Sequence, residues 1–205
     1  MLLSRAVRVC LQTRLTLTFV LQTSYIGRQH IVTGNAKNTG VTISNNFIEG
    51  QTNWSPNCDS YQYWAVYMTG AQDTITFKNN YIHHTSGRSP KLGGNAVVHM
   101  VNNLWSDNIG HAIEGEAAYA LLEGSVFRNV KTSIEKYTGY IWAPTADDAS
   151  CQGQLGRSCV RNIYESSPAI VSNNNQPVAK VGRGAASAQQ PTTIGNLGNT
   201  AGNTL

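Results

Sequence analysis

Short apolar runs that end at the same polar corner organise this chain. Val41-Thr-Ile-Ser-Asn-Asn-Phe47, Ile75-Thr-Phe-Lys-Asn-Asn-Tyr81, Val97-Val-His-Met-Val-Asn-Asn-Leu104 and Ala120-Leu-Leu-Glu-Gly-Ser-Val-Phe127 repeat one unit: an alternating stretch, two small polar residues, then an apolar residue. Alternation with period two marks a strand with one buried face. The corners begin at Asn45, Asn79, Asn102 and Gly124, which are 34, 23 and 22 residues apart. Periods in the low twenties built from strands and corners alone predict a solenoid, and the longer first interval leaves room for an inserted loop carrying Cys58 and an aromatic run. Asparagines at equivalent corners can hydrogen-bond from coil to coil as a ladder. The expectation is an all-β chain, a right-handed, single-stranded parallel β-helix.

Two other architectures fit less well. A β-sandwich also has many short strands with turn signals, but it gives no reason for Asn-Asn to recur at matching corners. A doubly wound α/β fold needs helices between its strands, and Gly or Asn interrupts every candidate stripe. The 205 residues are one domain's worth, although short for a β-helix enzyme. Charged residues are only 13% and the net charge is +4. No Lys/Arg stripe alternates with base-stacking aromatics, which speaks against nucleic acid as a partner.

The chemistry concentrates in a few places. Thr85-Ser-Gly-Arg-Ser-Pro-Lys91 sets Arg88 and Lys91 three residues apart in a loop after the strand-like run Ile75 to His84, and Ile26-Gly-Arg-Gln-His30 adds Arg28. Between the arginines, Tyr63, Trp64 and Tyr67 offer flat apolar faces. Guanidinium donors beside aromatic rings suit an acidic or esterified sugar polymer, whose carboxyl oxygens meet the donors while its CH faces stack on the rings. Asp59 and Asp73 are isolated and read as solvated loop residues. His30, His83, His84, His99 and His111 lie at strand or corner positions and read as structural hydrogen-bonding groups. Cys151 and Cys159 bracket a short loop that a disulfide would staple, and a zinc site there lacks a CxxC or a nearby histidine pair. Asn53-Trp-Ser is a glycosylation sequon in the long loop.

The chain divides into three stretches. Residues 1–23 are basic and apolar, but Arg14 and the threonines interrupt the core a signal peptide needs; the alternation Leu15, Leu17, Phe19, Leu21 equally suits one more strand. Residues 24–165 hold the repeats. Residues 166–205, rich in Ser, Asn, Gln, Gly and Ala, read as a loosely packed or disordered tail.

Over about residues 24–165 the sequence resembles the pectin lyases, a polysaccharide lyase family that shares its β-helix with the pectate lyases. The resemblance rests on Ile-Gly-Arg-Gln-His at 26–30, Tyr-Trp-Ala-Val-Tyr at 63–67, Tyr-Ile-His-His-Thr-Ser-Gly-Arg-Ser-Pro-Lys at 81–91, Val-Asn-Asn at 101–103, Gly-His-Ala-Ile-Glu at 110–114, Glu123-Gly-Ser-Val-Phe-Arg-Asn129 and Gly156-Arg-Ser-Cys159. It implies β-elimination on methyl-esterified polygalacturonan, with Arg88 as base, Arg28 and Lys91 stabilising charge at the substrate carboxyl, and Tyr63, Trp64 and Tyr67 lining the groove. An arginine base requires a strongly depressed pKa, and the physically simpler role is a bidentate clamp on the carboxyl. Pectate lyases bridge their substrate through calcium held by acidic side chains. Here Arg28 stands where those relatives offer a carboxylate, so the resemblance implies no metal and no cofactor. It also implies pectin as the partner, no membrane, a monomer and secretion. Family members continue upstream of Ile26 with further coils, a carboxylate motif and a cysteine that would pair with Cys58. Residues 1–25 match none of this, so the chain is expected to lack its N-terminal coils and Cys58 to be unpaired. Two alternative readings stand beside it: a non-catalytic, carbohydrate-binding β-helix remnant, or a calcium-dependent pectate lyase.

Overall fold

The alternating runs do form strands, and the strands stack in parallel. A computed structural model describes residues 7–8 and 22–191, with the backbone alone at 7, 8 and 22. Cys10, the alternating Leu15–Leu21 segment and residues 192–205 lie outside the described residues. In chain order the strands are β1 (Val7–Arg8), β2 (Gln22–Thr23), β3 (Ile31–Val32), β4 (Val41–Ser44), β5 (Phe47–Glu49), β6 (Val66–Met68), β7 (Thr74–Lys78), β8 (Tyr81–His83), β9 (Lys91–Leu92), β10 (Val97–Val101), β11 (Leu104–Gly115), β12 (Tyr119–Glu123), β13 (Val126–Tyr137), β14 (Tyr140–Trp142) and β15 (Ile163–Glu165). Two short helices, α1 (Gln152–Leu155) and α2 (Gln176–Val181), follow β14 and β15 respectively.

Each coil visits three faces. The first is a five-stranded sheet ordered β14-β12-β10-β7-β4. After the polar corner, β2, β5, β8, the start of β11, the start of β13 and β15 make the second face. The third face is β1, β3, β6, β9 and the ends of β11 and β13. Among the described residues every pairing between these strands is parallel. Faces two and three join into one ten-stranded sheet because β11 and β13 run through the bend without a break. Left-handed backbone at Asp107 and Asn129 helps turn them. This is a parallel β-helix, as expected.

The corners show why the pair is Asn-Asn. The first residue, Asn45, Asn79, Asn102 or Gly124, takes a left-handed φ, which asparagine and glycine adopt at low cost. The second points inward and builds the ladder. Asn46 Nδ2 donates to Asn80 Oδ1 at 2.7 Å, Asn80 Nδ2 donates to Asn103 Oδ1 at 3.1 Å, the Asn103 amide donates to Ser125 Oγ, and the Ser125 amide donates to Asn162 Oδ1. Apolar residues fill the interior in register. Ile48, Ile82, Trp105, Phe127 and Tyr164 form one column, with Trp105 and Phe127 stacked at 4.6 Å.

Two expectations need correction. Asp73 is not a solvated loop residue: it is fully buried, accepting from Thr33 Oγ1 and from the Asn38 amide at 2.7 Å each. Those partners lie 35 to 40 residues earlier and become neighbours only through stacking. The tail is not loose as far as residue 191. Val178 of α2 packs on Leu121, Cys151 and Leu155, and Gln189 exchanges two hydrogen bonds with the Asn102 side chain. Cys151 and Cys159 are joined, and among the described residues Cys58 is a free, exposed cysteine.

Candidate active site

The third face positions the chemistry. Parallel pairing places Val32, Tyr67, Lys91, Glu114 and Glu135 side by side on five successive rungs. Residues this far apart in sequence share one outward line because rungs stack in register. Arg88 reaches the same line from the loop between β8 and β9. That loop is rigid: Thr85, Ser86, Gly87, Ser89 and Pro90 are buried, the Arg88 carbonyl accepts from the Val66 amide at 2.9 Å, and the Ser89 amide donates to the Ala112 carbonyl at 2.8 Å. Trp105 Nε1 donates to the Ser89 carbonyl from below. Gly87 is required here, since a Cβ would meet the Tyr63 ring at 2.7 Å. The Ser89–Pro90 peptide is cis, and Arg88 has a φ of 47°.

Arg88 is held on three sides. Its Nη1 donates to the Tyr67 hydroxyl at 2.6 Å, its Nε donates to Glu114 Oε2 at 3.1 Å, and its guanidinium carbon sits 5.1 Å from the Tyr63 ring centroid. Lys91 Nζ reaches the other Glu114 oxygen at 3.1 Å. His111 lies between two carboxylates, with Nε2 3.0 Å from Glu114 and Nδ1 2.8 Å from Glu135. Burial alone would raise the Glu114 pKa, but the Lys91 and Arg88 donors outweigh it and hold the carboxyl below its usual range. Burial likewise works against the Arg88 charge, yet the bonds to Tyr67 and Glu114 win and push its pKa above the ordinary arginine value. In this state Arg88 is a firmly held cation.

Arg28 joins through aromatic rings. Its guanidinium lies over Trp64 at 5.2 Å, Trp64 meets Tyr63 edge-on at 5.8 Å, and Tyr63 carries Arg88. The six residues singled out from the sequence for catalysis and substrate contact therefore form one connected set. Asn53 is exposed in the long loop, and Trp54 beside it is 62% exposed, packing along Gly27 next to Arg28.

Sequence reasoning passed over Glu114 and Glu135 and read His111 only as a structural hydrogen-bonding group. The motif holding His111 and Glu114, Gly-His-Ala-Ile-Glu, was visible as a resemblance, but Glu114 is 26 residues from Arg88 and nothing local marks it as the partner of two cations. A signal did exist. Counting one coil of about 23 residues forward from Lys91 lands on Glu114, so the repeat itself pairs them.

No family model matches the chain. Curated relatives do. The chain is 44% identical to "Pectin lyase A" of Emericella nidulans over 89% of its own length and 50% of the relative's. It is 51% identical to "Probable pectin lyase F-2" of Aspergillus terreus over 70% of its length and 31% of the relative's, and 41% identical to "Probable pectin lyase E" of Aspergillus niger over 89% and 52%. The chain spans about half the length, or less, of these relatives. Identity at this level over most of the chain, carried on a parallel β-helix, makes it a homologue of the fungal pectin lyases.

Proposed function

We propose that the site performs pectin lyase-type cleavage of methyl-esterified polygalacturonan. One observation carries this reading: Arg88 and Lys91 converge on a single carboxylate beside an aromatic floor, while Arg28 closes the far end over Trp64. Polygalacturonan methyl ester offers each of these a partner, with carboxyl oxygens for the cations and sugar CH faces for the rings.

In the elimination a base takes the proton from C5, the electron pair forms the C4=C5 bond, the C4–O bond breaks, and the departing oxygen takes up a proton. Charge builds on the ester carbonyl oxygen, where preorganised donors stabilise it most. Lys91 and Arg28 suit that task. The base role that the family resemblance assigns to Arg88 conflicts with its resting state, because Glu114 and Tyr67 favour its protonated form. Taking that role requires the sugar to displace Glu114 from the guanidinium. If Glu114 stays in place, Arg88 acts as a donor to the carboxyl and the groove binds without cutting. The firmly held charge of Arg88 is the observation that favours this second reading.

Highly esterified pectin without calcium separates the two. Growth of ultraviolet absorbance from unsaturated uronide is the expected result. Binding without product would establish the binding module, and product that needs calcium and de-esterified substrate would make the site pectate lyase-type. Extracellular location and a monomeric state belong to the same proposal. Among the described residues no helix is long and apolar enough to cross a membrane.

A further inference from the structure

On the second face, one turn ahead of the Arg88 loop, two histidines and a carboxylate converge. Glu49 ends β5 and His83 ends β8, and the two are lateral neighbours in register. His84 follows His83 directly, and in an extended chain its ring would lie on the opposite side of the sheet. It does not, because His84 takes a left-handed φ of 60°, which brings the two rings within 5.4 Å of each other. The fold makes room for this bend. A Cβ at Gly50 would fall 2.2 Å from the His84 carbonyl oxygen, so glycine is needed there. The His84 ring is then fixed by stacking on Tyr61 at 3.8 Å.

The other donors are also oriented. Glu49 Oε1 accepts from the Gln51 amide at 3.0 Å, which aims Oε2 at His83 Nδ1, 2.7 Å away. Asp107, on the next rung, lies 3.6 Å from the opposite nitrogen of His83. A ligating imidazole keeps one nitrogen for the ion and the other for an orienting carboxylate, and His83 has Glu49 on one side and Asp107 within a short side-chain movement of a hydrogen bond on the other. One donor atom each from Glu49, His83 and His84 lie within 4.8 Å of one another. Ligands of a tetrahedral zinc ion are about 3.3 Å apart, given bonds of ~2.0–2.1 Å, so the more distant donors close by at most about 1.5 Å and the Glu49–His83 pair opens by about 0.6 Å, both within the reach of side-chain rotation.

We propose that Glu49, His83 and His84 bind a divalent transition-metal ion of the zinc class, separate from the Arg88 site. Two imidazole nitrogens and one carboxylate select zinc, cobalt, nickel or copper over calcium and magnesium, which take oxygen ligands. Binding replaces the proton shared by His83 and Glu49, which leaves to solvent, and a water completes the coordination. The ion ties β5 and β8 to the root of the catalytic loop and, through Tyr61, to the end of the long loop. The inference does not depend on the chain cutting pectin.

The test is calorimetric titration of the full chain with zinc chloride near neutral pH, in a Cys10→Ser, Cys58→Ser background so that thiols do not compete. One saturable site per chain is expected at micromolar or tighter affinity. Glu49→Gln, His83→Gln and His84→Asn should each weaken it at least tenfold; asparagine tolerates the left-handed backbone at 84. Circular dichroism without metal confirms that each variant is folded, and near-isosteric Glu49→Gln carries the test if a histidine variant is not. Cobalt should give visible bands of tetrahedral intensity that zinc abolishes. Absence of one-to-one binding, or folded variants that bind zinc like the parent, overturns the proposal.

Discussion

Arg88 shows how a single side chain is fixed. Nη1 on Tyr67 and Nε on Glu114 use two edges of one planar fork, and the Tyr63 ring lies against it. Lysine has one donor centre and reaches only one of these partners. Under the proposed elimination, Arg88→Lys should therefore reduce the rate about 100-fold, the effect expected of a misplacement of about 1 Å at a reacting centre, while leaving the melting temperature nearly unchanged. Glu114→Gln makes a complementary test. It keeps the shape, removes the charge that draws Arg88 and Lys91 together, and lets the Arg88 pKa fall. If Glu114 positions the fork, the rate should drop at least tenfold with little change in pectin affinity. A rate that instead rises, with a pH profile moved to lower pH, would mean that Glu114 only restrains the base.

At the scale of the elements, the asparagine ladder holds the coils in register where no side chain contributes hydrophobic burial. Asn80 is fully buried and serves three partners: Nδ2 donates to the Ile43 carbonyl and to Asn103 Oδ1, and Oδ1 accepts from both nitrogens of Asn46. Asn80→Ala strands the Ile43 carbonyl and the Asn46 amide. With each buried unsatisfied group costing about 1–3 kcal/mol, the variant should lose about 3 kcal/mol in urea unfolding, with no change in slope. This part of the fold was legible in the sequence, because Asn-Asn recurs at one offset and the left-handed first position explains the pair. The cation–carboxylate cluster was half legible. Arg88, Lys91 and the rings sit in recognisable motifs, whereas Glu114, His111 and Glu135 gain their meaning only when rungs stack. Asp73 was misread for the same reason. Helix α2 escaped notice because six residues, with Val178 and Val181 as their apolar pair, are too short for a helical period to register.

Across the whole molecule, two buried titratable groups on separated rungs should govern its response to acid. His30 is fully buried ahead of β3, with Nδ1 2.7 Å from Thr23 Oγ1, and burial lowers its pKa from 6.5 to about 4 against the opposing charge of Glu49. Glu123 is fully buried at the end of β12. Burial there works to raise its pKa, but the Arg157 fork at 2.9 and 2.6 Å, His99 at 2.8 Å and the Val160 amide at 3.0 Å overcome it and bring the pKa down from 4.5 to about 2. These bonds also clamp the loop closed by Cys151 and Cys159 onto the β-helix. Both folded values lie below the unfolded ones, so in each case the unfolded chain takes the proton first and acid favours unfolding. The His30 contribution is complete above pH 6.5 and lost as the pH falls toward 4; the Glu123 contribution is complete above 4.5 and lost as the pH falls toward 2. Each is about 3 kcal/mol by linkage. Because coils interact mainly with their neighbours, the two losses should add. Denaturant unfolding across pH 2–7 should then show two successive declines. His30→Gln should remove the upper one alone and Glu123→Gln the lower one alone, the latter also lowering stability near neutral pH by about 3–5 kcal/mol because Arg157 loses its buried partner. A Glu123→Gln variant that keeps the decline below pH 4.5 would assign acid sensitivity to surface carboxylates and leave the buried clamp without a part in it.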